Sequence, residues 1–194
     1  PEVVWNSGLI EEGASRVLLG EEFLVSRLGG DIDVRTQAGA ELDQLLAPNG
    51  ESLTPLSVSH ERVLWLGFRW SGDLLPRAGI LVPGGGAEQV WQTELCGELY
   101  PTAGLFIDEE RVLVVTGERS VDARGTVPNR QYFSLIDTTT GELLDERVFE
   151  SEFLVTSVLL VDDGPSPEIL VGLVERFEGG IVEGHLARIR PFRE

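Results

Sequence analysis

Three side chains in this sequence titrate readily near neutrality or make a soft metal ligand: His60, His185 and Cys96. His60 falls at an expected strand-to-strand turn and His185 at a strand start, so both read as loop or surface histidines without a ligand role. A Ser-His-Asp relay can be written from Ser57 or Ser59, His60 and any of several aspartates. No Gly-x-Ser-x-Gly elbow presents the hydroxyl, however, and no other nucleophile context supports it. Cys96 is the single cysteine, which excludes an intramolecular disulfide framework and reads as a small buried hydrophobe.

Carboxylates are the more abundant resource. Glu11-Glu12, Glu21-Glu22, Asp31-x-Asp33, Asp108-Glu109-Glu110 and Asp162-Asp163 are the clusters. Asp31-Ile32-Asp33-Val34-Arg35 lacks the third oxygen ligand and central glycine of a calcium loop, and Asp162-Asp163-Gly164 lacks the alternating spacing, so solvated turns are expected at both. Gly84-Gly85-Gly86 is a turn between strands, because no helix follows it and no lysine is present to complete a phosphate loop. No catalytic residue, no metal ligand and no cofactor is assigned.

Contact chemistry is better represented. Trp65 and Trp91 fall inside strands and are expected to pack between sheets. Trp70 lies in a loop, Arg69-Trp70-Ser71-Gly72-Asp73-Leu74-Leu75-Pro76, where an aromatic beside an arginine and two leucines has the make-up of a protein-contact hot spot. The longest irregular stretch, residues 118–130, interrupts a unit at the equivalent point, and a loop of that length in a β domain is functional or mobile. Both loops should project from one side. The partner-binding candidates are Arg69, Trp70, Leu74, Leu75, Val121, Arg124, Val127 and Asn129.

The elements that must position these residues are constrained by composition. A chain of 194 residues with 42% hydrophobic content makes one ordinary domain. Its 15 basic residues, every one arginine, stand against 33 acidic ones, for a net charge of −18. That balance excludes nucleic acid and anionic membranes as partners, and the lack of lysine removes Schiff-base chemistry. No window reaches the ~18 apolar residues of a membrane span, and Pro1-Glu2-Val3-Val4-Trp5 is not a signal-peptide start. The absence of methionine allows for a removed leader, and the compartment stays open with an extracytoplasmic leaning.

The most legible element is a hairpin: Tyr132 to Ile136 is β-branched and aromatic, Asp137 to Gly141 carries turn chemistry, and Glu142 to Phe149 is a second extended run. A repeat runs beside it. Glu61-Arg62-Val63-Leu64 recurs as Glu110-Arg111-Val112-Leu113, 49 residues on, and each copy leads through a loop to a hairpin. Fainter copies at both ends give four units, 10–48, 53–97, 101–150 and 153–192. Ala38 to Leu46 is the nearest approach to a helix and sits where the repeat wants a strand.

Ser134-Leu135-Ile136-Asp137-Thr138-Thr139-Thr140-Gly141-Glu142-Leu143-Leu144 within four-stranded units resembles the outer hairpin of β-propeller blades of the pyrroloquinoline-quinone-type and WD40-like repeats. The tryptophan-docking pattern of the quinone enzymes and the Trp-Asp dipeptide are both absent. The resemblance implies an all-β, propeller-like fold of about four four-stranded antiparallel units, closed by residues 2–5 as the missing strand of the last unit. The same alternation also permits a β-sandwich or an up-and-down barrel.

Two functions compete at this level. One is a non-catalytic β-scaffold, a protein-protein interaction or assembly subunit. The other is an extracytoplasmic small-ligand-binding protein or hydrolase with an acidic central pocket, in which paired carboxylates or a divalent cation would act.

Overall fold

Val63-Leu64-Trp65-Leu66 and Val112-Leu113-Val114-Val115 are unbroken apolar runs, and in a strand such a run has no polar face to give to water. Both are strands covered on two sides. The computed structural model describes residues 16–19, 23–28, 30–48, 51–59, 61–69, 76–84, 88–96, 103–119, 129–151, 153–164, 166–176 and 182–192. Among these residues there is no helix.

Four antiparallel meanders follow one another along the chain. The first sheet is β1 (Arg16–Leu19), β2 (Phe23–Leu28), β3 (Asp31–Thr36) and β4 (Glu41–Leu45), the second β5 (Glu51–Ser59), β6 (Arg62–Arg69), β7 (Arg77–Val82) and β8 (Glu88–Glu94). The third is β9 (Ala103–Phe106), β10 (Arg111–Arg119), β11 (Asn129–Asp137) and β12 (Leu143–Ser151), and the fourth β13 (Phe153–Asp162), β14 (Glu168–Arg176) and β15 (Val182–Ile189). These are four separate small sheets, not one closed barrel. The stretch with a weak helical signal, 38–46, is a turn leading into β4, because β3 pairs with it along Ile32 to Arg35. The expected closing strand, residues 2–5, lies outside the described residues.

First strands run side by side: β1 lies against β5, β5 against β9 and β9 against β13. Alternation then divides each central strand between two interfaces. Val63 and Trp65 point to the first sheet, where Phe23, Val25, Ile32 and Val34 meet them. Leu64 and Leu66 point the other way, to Val112, Val114 and Ile136 of the third sheet. Leu113 and Val115, with Phe133 and Leu135, face Val155, Ile169 and Val171 of the fourth. Each buried aliphatic side chain contributes roughly 1.5–3 kcal/mol against leaving it in water, so the sheets are held mainly by these three layers.

Polar stitches cross the same interfaces. The two arginines of the repeat have one job in two places. Arg62 donates to the Glu109 carbonyl of the third sheet's β9–β10 turn at 2.9 Å, and Arg111 donates to the Asp163 and Gly164 carbonyls beyond β13 at 3.0 and 3.3 Å. Trp91 does more than pack. Its indole N–H donates to the Thr138 carbonyl at 2.7 Å, and its ring lies where a Cβ on Gly141 would be, within 2.8 Å. The Asp43 carboxylate similarly accepts the Gly84 N–H of the next sheet's turn at 3.3 Å.

Asp31 and Asp33 are not a solvated turn. They lie on β3, where Asp31 accepts the Ala47 N–H at 2.7 Å and Asp33, 6% exposed, pairs with Arg35 at 2.7 Å. Residues two apart on a strand share a face, so the arginine neutralises the acid that β3 buries. Asp162 and Asp163 are exposed, as expected, Asp162 as the last residue of β13 and Asp163 just beyond it.

Candidate loop-bearing interaction end

The strands end in two sets. At one end lie the turns joined by Arg62 and Arg111. At the other, β6 stops at Arg69 and β7 begins at Arg77, while β10 stops at Arg119 and β11 begins at Asn129. The flanks of both segments belong to this second end. Pro76 accepts the Leu95 N–H at 2.8 Å, and the Cys96 carbonyl, one residue further on, accepts the Thr116 hydroxyl at 2.6 Å, three residues before β10 ends.

The sequence candidates divide accordingly. Arg69 is the last residue of β6, opposite Glu51 of β5, and Asn129 is the first of β11, opposite Arg119 and Ser151. Trp70, Leu74, Leu75, Val121, Arg124 and Val127 lie outside the described residues, as does His60. His185 lies within β15, opposite Leu173.

A layer of polar contacts that the sequence reading did not find fixes the strand ends. Arg77 pairs with Glu51 and donates to Gln92 at 2.8 Å, and Arg27 donates to the Ser52 hydroxyl at 2.5 Å. Cys96 is exposed, unlike the buried hydrophobe expected of it, because it falls just past the end of β8. Desolvation and the neighbouring Glu146 carboxylate both push its thiol pKa up. A thiol beside a carboxylate resists forming the thiolate. Glu146 in turn accepts the Ser134 hydroxyl at 3.1 Å.

A second polar group sits at the opposite end, on the fourth sheet. Glu168, buried at the start of β14, takes Arg190 through Nε at 2.9 Å and Nη2 at 2.6 Å, and Arg188 as well. Together with Ile189 they line an open cleft of about 560 Å³. Arg188-x-Arg190 is the sequence signal, since residues two apart on a strand lie on one face. Among the described residues, no group of three or more histidine, cysteine or carboxylate side chains converges as a metal site, and no helix is long and apolar enough to cross a membrane.

No family model and no curated protein matches this chain. Among solved structures, the crystal structure of a protein of unknown function from Bacteroides caccae is similar at a TM-score of 0.47 and 14% identity, over 93% of this chain and 62% of that one. This chain thus spans less than two thirds of that protein's length.

Proposed function

We propose that this chain is a propeller-type β-scaffold, four sheets serving as blades with their first strands innermost, and that its role is non-catalytic: the end carrying residues 70–75 and 120–128 binds another protein. One observation carries the reading. The strand ends flanking both segments are tied to one another through Pro76, Leu95, Cys96 and Thr116, so two long connections leave the same end of a hydrogen-bonded framework. Segments that join strands at one end of a rigid sheet are how β folds present contact residues. Arg69, Trp70, Leu74 and Leu75 supply an aromatic and apolar anchor in this reading, and Val121, Arg124, Val127 and Asn129 the adjoining surface.

The test is the composition of the protein recovered untagged from its source. A second polypeptide is expected to co-elute with it, and the joint change of Trp70, Leu74 and Leu75 to alanine, or a short Gly-Ser replacement of 121–128, is expected to release that polypeptide while the melting temperature holds. Retention of the same polypeptide by both variants refutes the assignment of this end. The ligand-binding alternative is separated by melting with Ca²⁺ or Mg²⁺: a dedicated site raises the midpoint at low cation concentration through mass action, whereas screening of a −18 chain needs far more salt.

A further inference from the structure

The two outward faces of the sheet series differ in kind. On the first sheet, β3 sets Asp33 and Arg35 on the side away from the second sheet and pairs them with each other, with Asp33 buried. On the fourth, register places Leu159 of β13, Leu170 of β14 and Arg188 of β15 in one row, and Ser157, Gly172 and Leu186 in the next, on the face turned away from the third sheet. Leu159 is 63% exposed and Leu186 74% exposed. Two leucines this open on one face of a regular sheet are the composition of an unfilled sheet-to-sheet contact, because the three preceding interfaces are built from the same alternating apolar positions.

We propose that this face pairs with the same face of a second copy of the chain, about a twofold axis running along β14. Charge selects both the partner and the axis. At one end of the sheet, exposed Asp162 and Asp163 close β13 on one edge, and Arg188 and Arg190 close β15 on the other. Their guanidiniums share the single carboxylate of Glu168, which leaves the basic edge one positive charge in excess. A rotation about β14 keeps like ends together and exchanges the edges, so each copy's Asp162 and Asp163 meet the other's Arg188 and Arg190, each Leu159 falls over the other's β15 between Leu186 and Arg188, and the two Leu170 side chains meet on the axis. Such an isologous contact closes at two copies. Head-to-tail stacking is disfavoured, since it would set Leu159 and Leu186 against a face that carries the Asp33–Arg35 ion pair in place of apolar side chains. In a chain of net charge −18, this is a face where two copies approach without opposing their acids.

Light scattering after size exclusion, on the full chain from about 1 to about 500 μM at about 0.15 M salt, tests it. The expected result is a shift from 21.2 kDa towards twice that mass with concentration. Leu186→Glu and Leu159→Glu each raise the dissociation constant at least about tenfold, with the melting temperature of the monomer retained because both side chains are exposed. Asp162→Arg, which sets like charges against each other across the axis, weakens pairing by a comparable factor. A monomer at every concentration, assembly beyond two copies, or a dimer indifferent to both leucine changes overturns the proposal. A dimer broken by Leu186→Glu but unmoved by Asp162→Arg overturns the axis.

Discussion

Gly141 holds φ at +75°, and Gly84, in the equivalent turn of the second sheet, holds +86°. Both are left-handed positions that cost an L side chain about 1–2 kcal/mol. Their surroundings differ. A Cβ on Gly84 meets only the Leu42 side chain at 3.8 Å, whereas one on Gly141 meets the Trp91 ring at 2.8 Å. Gly84→Ala is therefore expected to cost about 1–2 kcal/mol, and Gly141→Ala about 3 kcal/mol or more, as backbone strain is joined by overpacking. Denaturant midpoints measure both, and equal losses would show that Trp91 yields without cost. Acid acts on the same turns. Burial raises the Asp108 carboxyl pKa, but the Arg111 guanidinium and the N–H groups of Glu110 and Arg111 outweigh it and hold it below its ordinary value. Asp137 is held low by the N–H groups of Thr140 and Thr139. A carboxyl with a depressed folded pKa takes its proton later in the native state than in the unfolded one. Its stabilisation is therefore complete above the unfolded value of about 4 and is lost as pH falls through the folded one. The double variant Asp108→Asn, Asp137→Asn should be less stable at pH 7 and lose less on acidification. A stability curve below about pH 4 with wild-type steepness would contradict this.

Strands were the legible elements because each carries its own signal. The repeat of Glu61 to Leu64 at Glu110 to Leu113 predicted two strands in equivalent places, and β6 and β10 are those strands. The hairpin read around Gly141 is β11 and β12. Facing direction was less legible where bulges intervene. Strict alternation sets Val155 and Val158 on opposite faces, yet both turn to the third sheet, because pairing skips Thr156 between Val155 and Ser157. The polar contacts at the strand ends were invisible for a different reason: Glu51 and Arg77 are 26 residues apart, and Cys96 and Glu146 further still, with nothing local to link them. Where alternation does hold, adjacent residues answer to different neighbours. Val63→Ala and Leu64→Ala should each cost roughly 2 to 4 kcal/mol. Val63→Ala should speed amide exchange in β2 and β3 while sparing β10 and β11, and Leu64→Ala should do the reverse. Identical exchange maps for the two variants would mean that the sheets open as one unit.

The assembled sheets carry charge in two ways that salt affects oppositely. The acidic excess, −18 over 194 residues, repels itself and opposes compaction. Exposed ion pairs such as Arg130 with Glu150 and Arg147 with Asp145 pull the other way, but pairs this open contribute little. The arginines that stitch neighbouring sheets, Arg62 and Arg111, reach backbone carbonyls at 2.9 to 3.3 Å, and such short hydrogen bonds are weakened less by salt than distant charge-charge interactions. The inter-sheet contacts therefore survive screening while the repulsion does not. Raising NaCl from about 10 mM to about 500 mM, which shortens the Debye length from about 30 Å to about 4 Å, should raise the melting temperature by several degrees in scanning calorimetry. A fall would mean that ion pairing outweighs the acidic excess in holding the sheets together. Arg111→Gln then separates the two effects: the variant melts lower at both salt concentrations, but the salt increment persists, because the excess charge is spread over the whole molecule and the stitch is not.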